Sequence, residues 1–388
     1  MNETVRYGII GVGNMGSSHL NMYKDGKIRQ MTLTAICDVK QDRLDWAKEQ
    51  LPALATFDSA EALMDSGLVD AVIIATPHYF HPPMARMALE KGLHVLCEKP
   101  AGVYTKAVRE LNEFAKQQDK TYAIMFNQRT NHIYRKAHEL VQSGVYGQIR
   151  RVNWIITDWY RTQAYYNSGG WRATWDGEGG GVLMNQAPHN LDLWQWICGM
   201  PVKVRAFCHN GRWHDIEVED DVTIYAEYAN GATGVFITTT GDCPGDNRLE
   251  ITMDKARIIC TASEIEVYEL EESIPSHCAG SPNGFGRPDG KVVPVETDGE
   301  NPQHAGVTNA FADHILHGTP LIAEGVEGIN GLTLCNAAYL SSWLDKTVTL
   351  PLDEELYLAE LTRRRQTSKA KTNVVESVEG DMSSTYGS

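Results

Sequence analysis

A chain of 388 residues exceeds what one hydrophobic core ordinarily serves and predicts two domains. Its 42% hydrophobic and 22% charged residues are those of a folded globular protein. The formal net charge of -15, with no basic stripe interleaved with aromatics, argues against nucleic acid and anionic membrane surfaces as partners. No run reaches the ~18 apolar residues of a membrane-spanning helix. The opening MNETVRYGIIGVG enters a strand pattern without a signal-peptide layout, so a cytoplasmic protein is expected. The eight cysteines lie far apart with no CxxC pair, and the 13 histidines form neither HExxH nor a zinc-finger spacing. Reduced thiols and no metal site are expected.

The stretch VRYGIIGVGNMGSSHL predicts a short strand, a glycine turn and a helix start. Gly11, Gly13 and Gly16 fit GxGxxG, in which the first glycine makes the turn, the second admits a pyrophosphate and the third lets helix and strand pack closely. Asn14 and Met15 open the helix, whose free N–H groups face the phosphates. The next strand, TLTAICD, ends in Asp38, where a carboxylate bonds a ribose 2'-OH and repels a 2'-phosphate. NAD is therefore favoured over NADP, with Lys40 close by acting the other way.

Three further strand-like runs follow, DAVIIATP, HVLCEKP and TYAIMFN, separated by helical stretches. This alternation predicts a doubly wound α/β domain over residues 1–127 with a parallel sheet covered on both faces. Ligands of such sheets bind beyond the carboxyl ends of the strands, which brings Thr76, Pro77, Glu98, Lys99 and Asn127 toward one crevice, with His78 and His81 beside it. Residues 128–361 read as a second, α+β domain. RRVNWIITDWY, VKVRAFCHN, DVTIYAEYAN, GVFITTTG and RLEITM are its strand-like runs. The polar residues 362–388 predict a disordered tail.

Within the second domain, GEGGGVLMNQAPHNLDLW runs glycines into a helical pattern. Asn185, His189 and Asp192 stack on one stripe, and Leu183, Ala187, Leu191 and Trp194 fall opposite. Before it, WYRTQAYYNSGGWRATW packs six aromatics and two arginines into 17 residues around adjacent glycines. Part of this segment is expected to form a loop over the crevice, its aromatic faces suited to the apolar side of a pyranose or cyclitol ring.

Together GIIGVGNMG, ATPHYFHPPMARMALEKGLHVLCEKP and GGGVLMNQAPHNLD resemble the family of glucose-fructose oxidoreductases and inositol dehydrogenases, Gfo/Idh/MocA. The resemblance covers nearly all of the chain except the tail; a Gly-, Pro- and Ser-rich loop between Glu271 and Gly299 has no counterpart in it. It implies a large, open, mostly antiparallel sheet in the second domain, whose free face makes a homodimer or homotetramer. A closing helical segment, about 302–346, would pack back on the first domain.

The resemblance also implies hydride transfer between NAD and a secondary alcohol of a cyclic sugar, glycoside or inositol, with Lys99 and His189 handling the hydroxyl proton. Imidazole titrates near neutral pH and accepts that proton, and an ammonium stabilises the developing oxyanion. The family pattern GGGxxxDxGxH carries Asp where this chain has Asn185, an amide that orients a sugar hydroxyl but takes up no proton. Asp192 either orients the imidazole or is a charge on the helix surface. Tyr160, Tyr166, Trp171 and Arg172 are the remaining substrate candidates. Arg161 or Arg172 would equally suit an anionic group. The alternative reaction is that of a redox-neutral NAD-dependent glycosidase, in which a ring carbon is oxidised transiently.

Overall fold

The computed structural model describes residues 4–372, 374 and 375. The first sheet is built from β1 (Val5–Ile10), β2 (Met31–Cys37), β3 (Ala55–Phe57), β4 (Ala71–Ile74), β5 (His94–Cys97) and β6 (Tyr122–Ile124). All are parallel in the order β3-β2-β1-β4-β5-β6. The strands are short and apolar because both faces are buried. Tyr7, Ile9, Ile36, Ile73 and Leu96 pack on one side. Ile10, Ala35, Val72, Ile74 and Val95 pack on the other. Helices Ala60–Asp65, His81–Glu90 and Thr105–Ala115 cover the second face. The first is shared by Asn14–Lys24, Gln41–Gln50 and a helix from far along the chain, Gln303–His317, which contributes Val307, Phe311 and Ala312.

The second sheet adds β7 (Ile149–Ile156), β8 (Lys203–Asn210), β9 (Glu219–Glu227), β10 (Thr233–Thr239), β11 (Asn247–Met253), β12 (Ala256–Cys260), β13 (Ile265–Leu270), β14 (Gly290–Val293) and β15 (Val348–Thr349). Its order is β14-β13-β12-β11-β7-β10-β9-β8-β15, antiparallel except for the pair β7–β10. Alternation sets its two faces. Val152, Trp154, Val222, Ile224, Phe236, Leu249 and Ile251 point inward. There the helices Pro188–Cys198 and Gly328–Leu344 cover them, and Trp194 stacks on Phe236 at 5.4 Å. Ile155, Phe207 and Tyr225 stand exposed on the other face of the single chain.

Two features differ from the sequence reading. Residues 362–367 complete the helix Glu354–Thr367, and the chain beyond it is held: Arg365 pairs with Asp176 at 2.9 Å, Lys371 donates to the Tyr166 carbonyl, and Val375 N donates to Asn167 O at 3.0 Å. Polar composition signals weak self-association, but here acceptors on another loop supply the partners. Residues 373 and 376–388 of the expected tail lie outside the described residues. The Gly- and Pro-rich loop also contributes the edge strand β14, paired to β13. Among the described residues no helix is long and apolar enough to cross a membrane.

Candidate active site

The glycine turn after β1 has the geometry its motif requires. Gly11 has φ of 91°, and a Cβ there would meet the Ala75 carbonyl oxygen at 2.6 Å. A Cβ on Gly16 would fall 1.8 Å from the Gly11 oxygen, so this glycine serves helix-to-loop packing and does not line the crevice. A Cβ on Gly13 would meet nothing within 4 Å; its face opens into the crevice beside Asn14 and Met15. Asp38 accepts from Val12 N at 2.7 Å and from Lys40 N at 2.9 Å, tying the turn to the end of β2. The cradle, the helix start and the carboxylate fit a dinucleotide.

The crevice has a volume of about 740 Å³ and runs from Asp38 past Thr76, Pro77, His81, Glu98 and Lys99 to the second domain. Ligand sites typically measure ~300–1,000 Å³. His81 bridges two strand ends, with Nε2 2.7 Å from Thr76 O and Nδ1 2.7 Å from Pro100 O. Burial pushes the Glu98 carboxyl up, but His19 at 2.8 Å and the neighbouring His304 and Lys99 bring it down to about 2. Glu98 is thus ionised and occupied with His19. Asn127 does not reach the crevice: it is fully buried and donates to Gln303 on the segment that covers the first sheet.

Lys99 Nζ donates to the carbonyl of Asn185 at 2.9 Å, and both residues line the crevice with His189. Burial lowers the Lys99 pKa, opposed by the charges of Glu98 and Glu178. Burial and then the Lys99 charge hold His189 far below its ordinary value, so the imidazole is neutral at pH 7. The polar stripe is split between two helices, Val182–Asn185 and Pro188–Cys198, with Pro188 at the first turn of the second. That position leaves no lost helical bond. Asp192 does not orient His189; it takes both nitrogens of a buried Arg129 fork at 2.7 and 2.8 Å. A carboxylate buried that deeply needs a fixed cation, which Arg129 supplies.

On the facing wall, Tyr165 and not Tyr166 is the aromatic at the site. The helix Gln163–Asn167, capped by Thr162, turns Tyr166 inward, where its hydroxyl meets Thr240 at 2.6 Å. Tyr165 donates to Asn185 Oδ1 at 3.3 Å and accepts from Arg172 at 2.6 Å and from Gln186 at 2.8 Å. Tyr160 is exposed and outside the crevice. Trp171, Arg172, Asn185 and His189 line it, together with Trp159, Arg161 and Gln186. Among the described residues no group of three His, Cys, Asp or Glu is placed to hold a metal ion.

Residues 5–126 match the family model described as an oxidoreductase family with an NAD-binding Rossmann fold, and residues 134–259 match the GFO/IDH/MocA C-terminal domain. The chain belongs to the GFO/IDH/MocA oxidoreductases. It is 31% identical to a 1-carboxy-3-chloro-3,4-dihydroxycyclohexa-1,5-diene dehydrogenase of Comamonas testosteroni over 54% of this chain and 51% of that one. Thus about half of that relative's length is spanned. It is 26% identical to the myo-inositol 2-dehydrogenase of Thermotoga maritima over 66% of this chain and 74% of that one. A WlbA dehydrogenase from Chromobacterium violaceum, solved with NADH and UDP-GlcNAcA, superposes with a TM-score of 0.78 at 25% identity, covering 91% of this chain and 98% of that one.

Two carboxyls of this GFO/IDH/MocA site carry no sequence signal of their own. Glu178 is buried, accepts from Ala173 N at 2.5 Å and from Asn185 Nδ2, and lies 3.8 Å from Arg172. Glu219, at the start of β9, accepts from Gly181 N at 3.0 Å, Leu183 N at 2.9 Å and the Tyr339 hydroxyl at 2.7 Å. It caps the helix that carries Asn185. Burial pushes its carboxyl up to about 7 against those donors. Each acid looks like an ordinary polar residue until the glycine turn folds over it.

Proposed function

We propose that this protein is an NAD-dependent dehydrogenase acting on a secondary alcohol of a cyclic sugar, glycoside or polyol. The observation that carries the reading is the meeting of Lys99 and His189, from different domains, in the crevice that begins at the glycine turn. The dehydrogenases among its relatives support it.

The glycine turn, Asn14, Met15 and Asp38 would hold the dinucleotide, whose nicotinamide supplies the hydride exchange when bound. Removal of hydride from a carbinol leaves a carbonyl, so the hydroxyl proton needs an acceptor and the oxygen a positive neighbour. Neutral His189 carries the lone pair that takes the proton. Lys99 has one N–H engaged by the Asn185 carbonyl and two left for the substrate oxygen. Asn185 and Tyr165 orient neighbouring hydroxyls, and Trp171 offers an apolar face.

The test is incubation of purified protein with NAD and a panel of pyranosides and cyclitols, following NADH. One member is expected to give turnover, and Lys99→Ala is expected to lower kcat about 10²- to 10⁴-fold with NAD affinity nearly unchanged. No NADH from any alcohol in the panel contradicts the reading. Release of an aglycone without net NADH replaces it with the redox-neutral glycosidase.

A further inference from the structure

The crevice wall contributed by Tyr165, Ser168, Gly169, Gly170, Trp171 and Arg172 has little structure of its own. All but Tyr165 lie outside any helix or strand, and Tyr165 belongs to the five-residue helix Gln163–Asn167, too short to persist alone. Adjacent glycines lose more backbone freedom on being fixed than other residues do, so this loop needs ties from outside. They come from the far end of the chain. At one end of the loop, Lys371 Nζ donates to the Tyr166 carbonyl and Val375 N donates to the Asn167 carbonyl at 3.0 Å. The last carbonyls of a helix have no partner within it, and a cation suits that negative end. At the other end, Arg365 pairs with Asp176 at 2.9 Å. Beside that pair, Glu217 accepts from Ser368 Oγ, from Lys369 N at 3.1 Å and from Trp175 N at 2.8 Å. Between the two ends Val374 passes the glycines, and a Cβ on Gly170 would lie 3.9 Å from its Cγ2. Arg365 also lies over the ring of Tyr79 from the first domain, 4.5 Å from its centroid, and the Tyr79 hydroxyl donates to the Trp175 carbonyl at 2.7 Å.

We infer that Lys371 is a positioning residue for substrate binding: with Arg365, Ser368 and Val375 it forms a strap that holds Tyr165, Trp171 and Arg172 where a sugar or polyol meets them. That a sugar or polyol lies there rests on the dehydrogenase reading. The holding of the loop is tested apart from it.

Two measurements on the full chain separate these points. Hydrogen–deuterium exchange reads the loop without substrate. Amides of residues 163–176 are expected to exchange about tenfold faster in Lys371→Met, which keeps the length of the side chain and removes the donor. Exchange should be faster still when Val375→Pro removes the second donor as well, and should return toward the parent rate in Lys371→Arg. Amides of β1 and β4 should not change, whereas general destabilisation would speed them too. Steady-state kinetics with NAD and the panel of pyranosides and cyclitols reads substrate binding. For the alcohol that is turned over, KM is expected to rise about tenfold in Lys371→Met, with a smaller change in kcat and unchanged NAD affinity, and to recover in Lys371→Arg. Loop exchange unchanged in the double variant, or a parent KM despite faster exchange, overturns the inference. Faster loop exchange with NADH from no alcohol sustains the strap and removes the dehydrogenase reading alone.

Discussion

At position 185 an amide faces a buried carboxyl, and this pairing is a chemical constraint on the site. Asn185 Nδ2 donates to Glu178, while its Oδ1 accepts from Tyr165 and Gln186. In Asn185→Asp the donor becomes a second carboxylate against Glu178, whose own pKa burial already raises. Two adjacent carboxyls cannot both ionise, so the pair retains a proton in the fold that each group loses in the unfolded chain. A group with a raised folded pKa loses its stabilisation as pH rises through that value. The expected outcome is a melting temperature of Asn185→Asp that drops further below the parent from pH 5 to pH 8; a constant gap contradicts it. Lys99, Asn185 and His189 were legible because each sits in a short contiguous motif. Tyr165 and Tyr166 are adjacent, and only the phase of a one-turn helix capped by Thr162 decides which of them faces the ligand.

The helix Val182–Asn185 is too short to persist alone and depends on what holds its first turn. Glu219 does so from the neighbouring strand, gathering two backbone N–H groups and the Tyr339 hydroxyl. Glu219→Ala leaves these buried donors without their acceptor, which costs about 1–3 kcal/mol for each one not rehydrated. A loss of roughly 2–5 kcal/mol in urea unfolding is expected, together with lower kcat from displacement of Asn185 and the following His189 helix. Unchanged stability would show that the turn holds itself. Alternating runs made β7 to β11 legible. By contrast β14 and β15 have four and two residues, too few for periodicity, and acquire strand geometry from partners elsewhere in the chain.

Across the molecule, buried histidines set the response to acid. Burial lowers His94 and His304 to about 4 from an ordinary value of 6.5, and it holds His78 and His189 well below that ordinary value. Between pH 6.5 and about 4 the unfolded chain binds protons on these rings that the folded chain does not, so stability falls as pH falls. Glu98, held to about 2, adds the same sign below its ordinary 4.5. Glu219, raised to about 7, acts oppositely between 4.5 and 7, and Asp158, Glu178 and Asp192, which burial also raises, share its sign. Denaturation midpoints are therefore expected to decline from pH 7 to pH 4.5, and a flat or rising profile contradicts the burial of neutral imidazoles. A closing helical segment, about 302–346, was expected to return to the first domain, and of it the helix Gln303–His317 packs on the first sheet while Gly328–Leu344 covers the second; the two sheets themselves were readable from their strand-like runs. Which face that segment covers was not, because Val307, Phe311 and Ala312 match the apolar side chains of β1 only in three dimensions.

The helix Gln303–His317 belongs to the second half of the chain by order and to the first sheet by contact, with Val307, Phe311 and Ala312 packed on Tyr7, Ile9 and Met125. A fragment ending at residue 127 would leave exposed to water the part of that apolar side which this helix covers, with only Asn14–Lys24 and Gln41–Gln50 remaining on it. The halves are consequently not interchangeable cassettes. A chimera that grafts another protein's nucleotide module onto this one must bring along, or redesign, the distant helical lining as well.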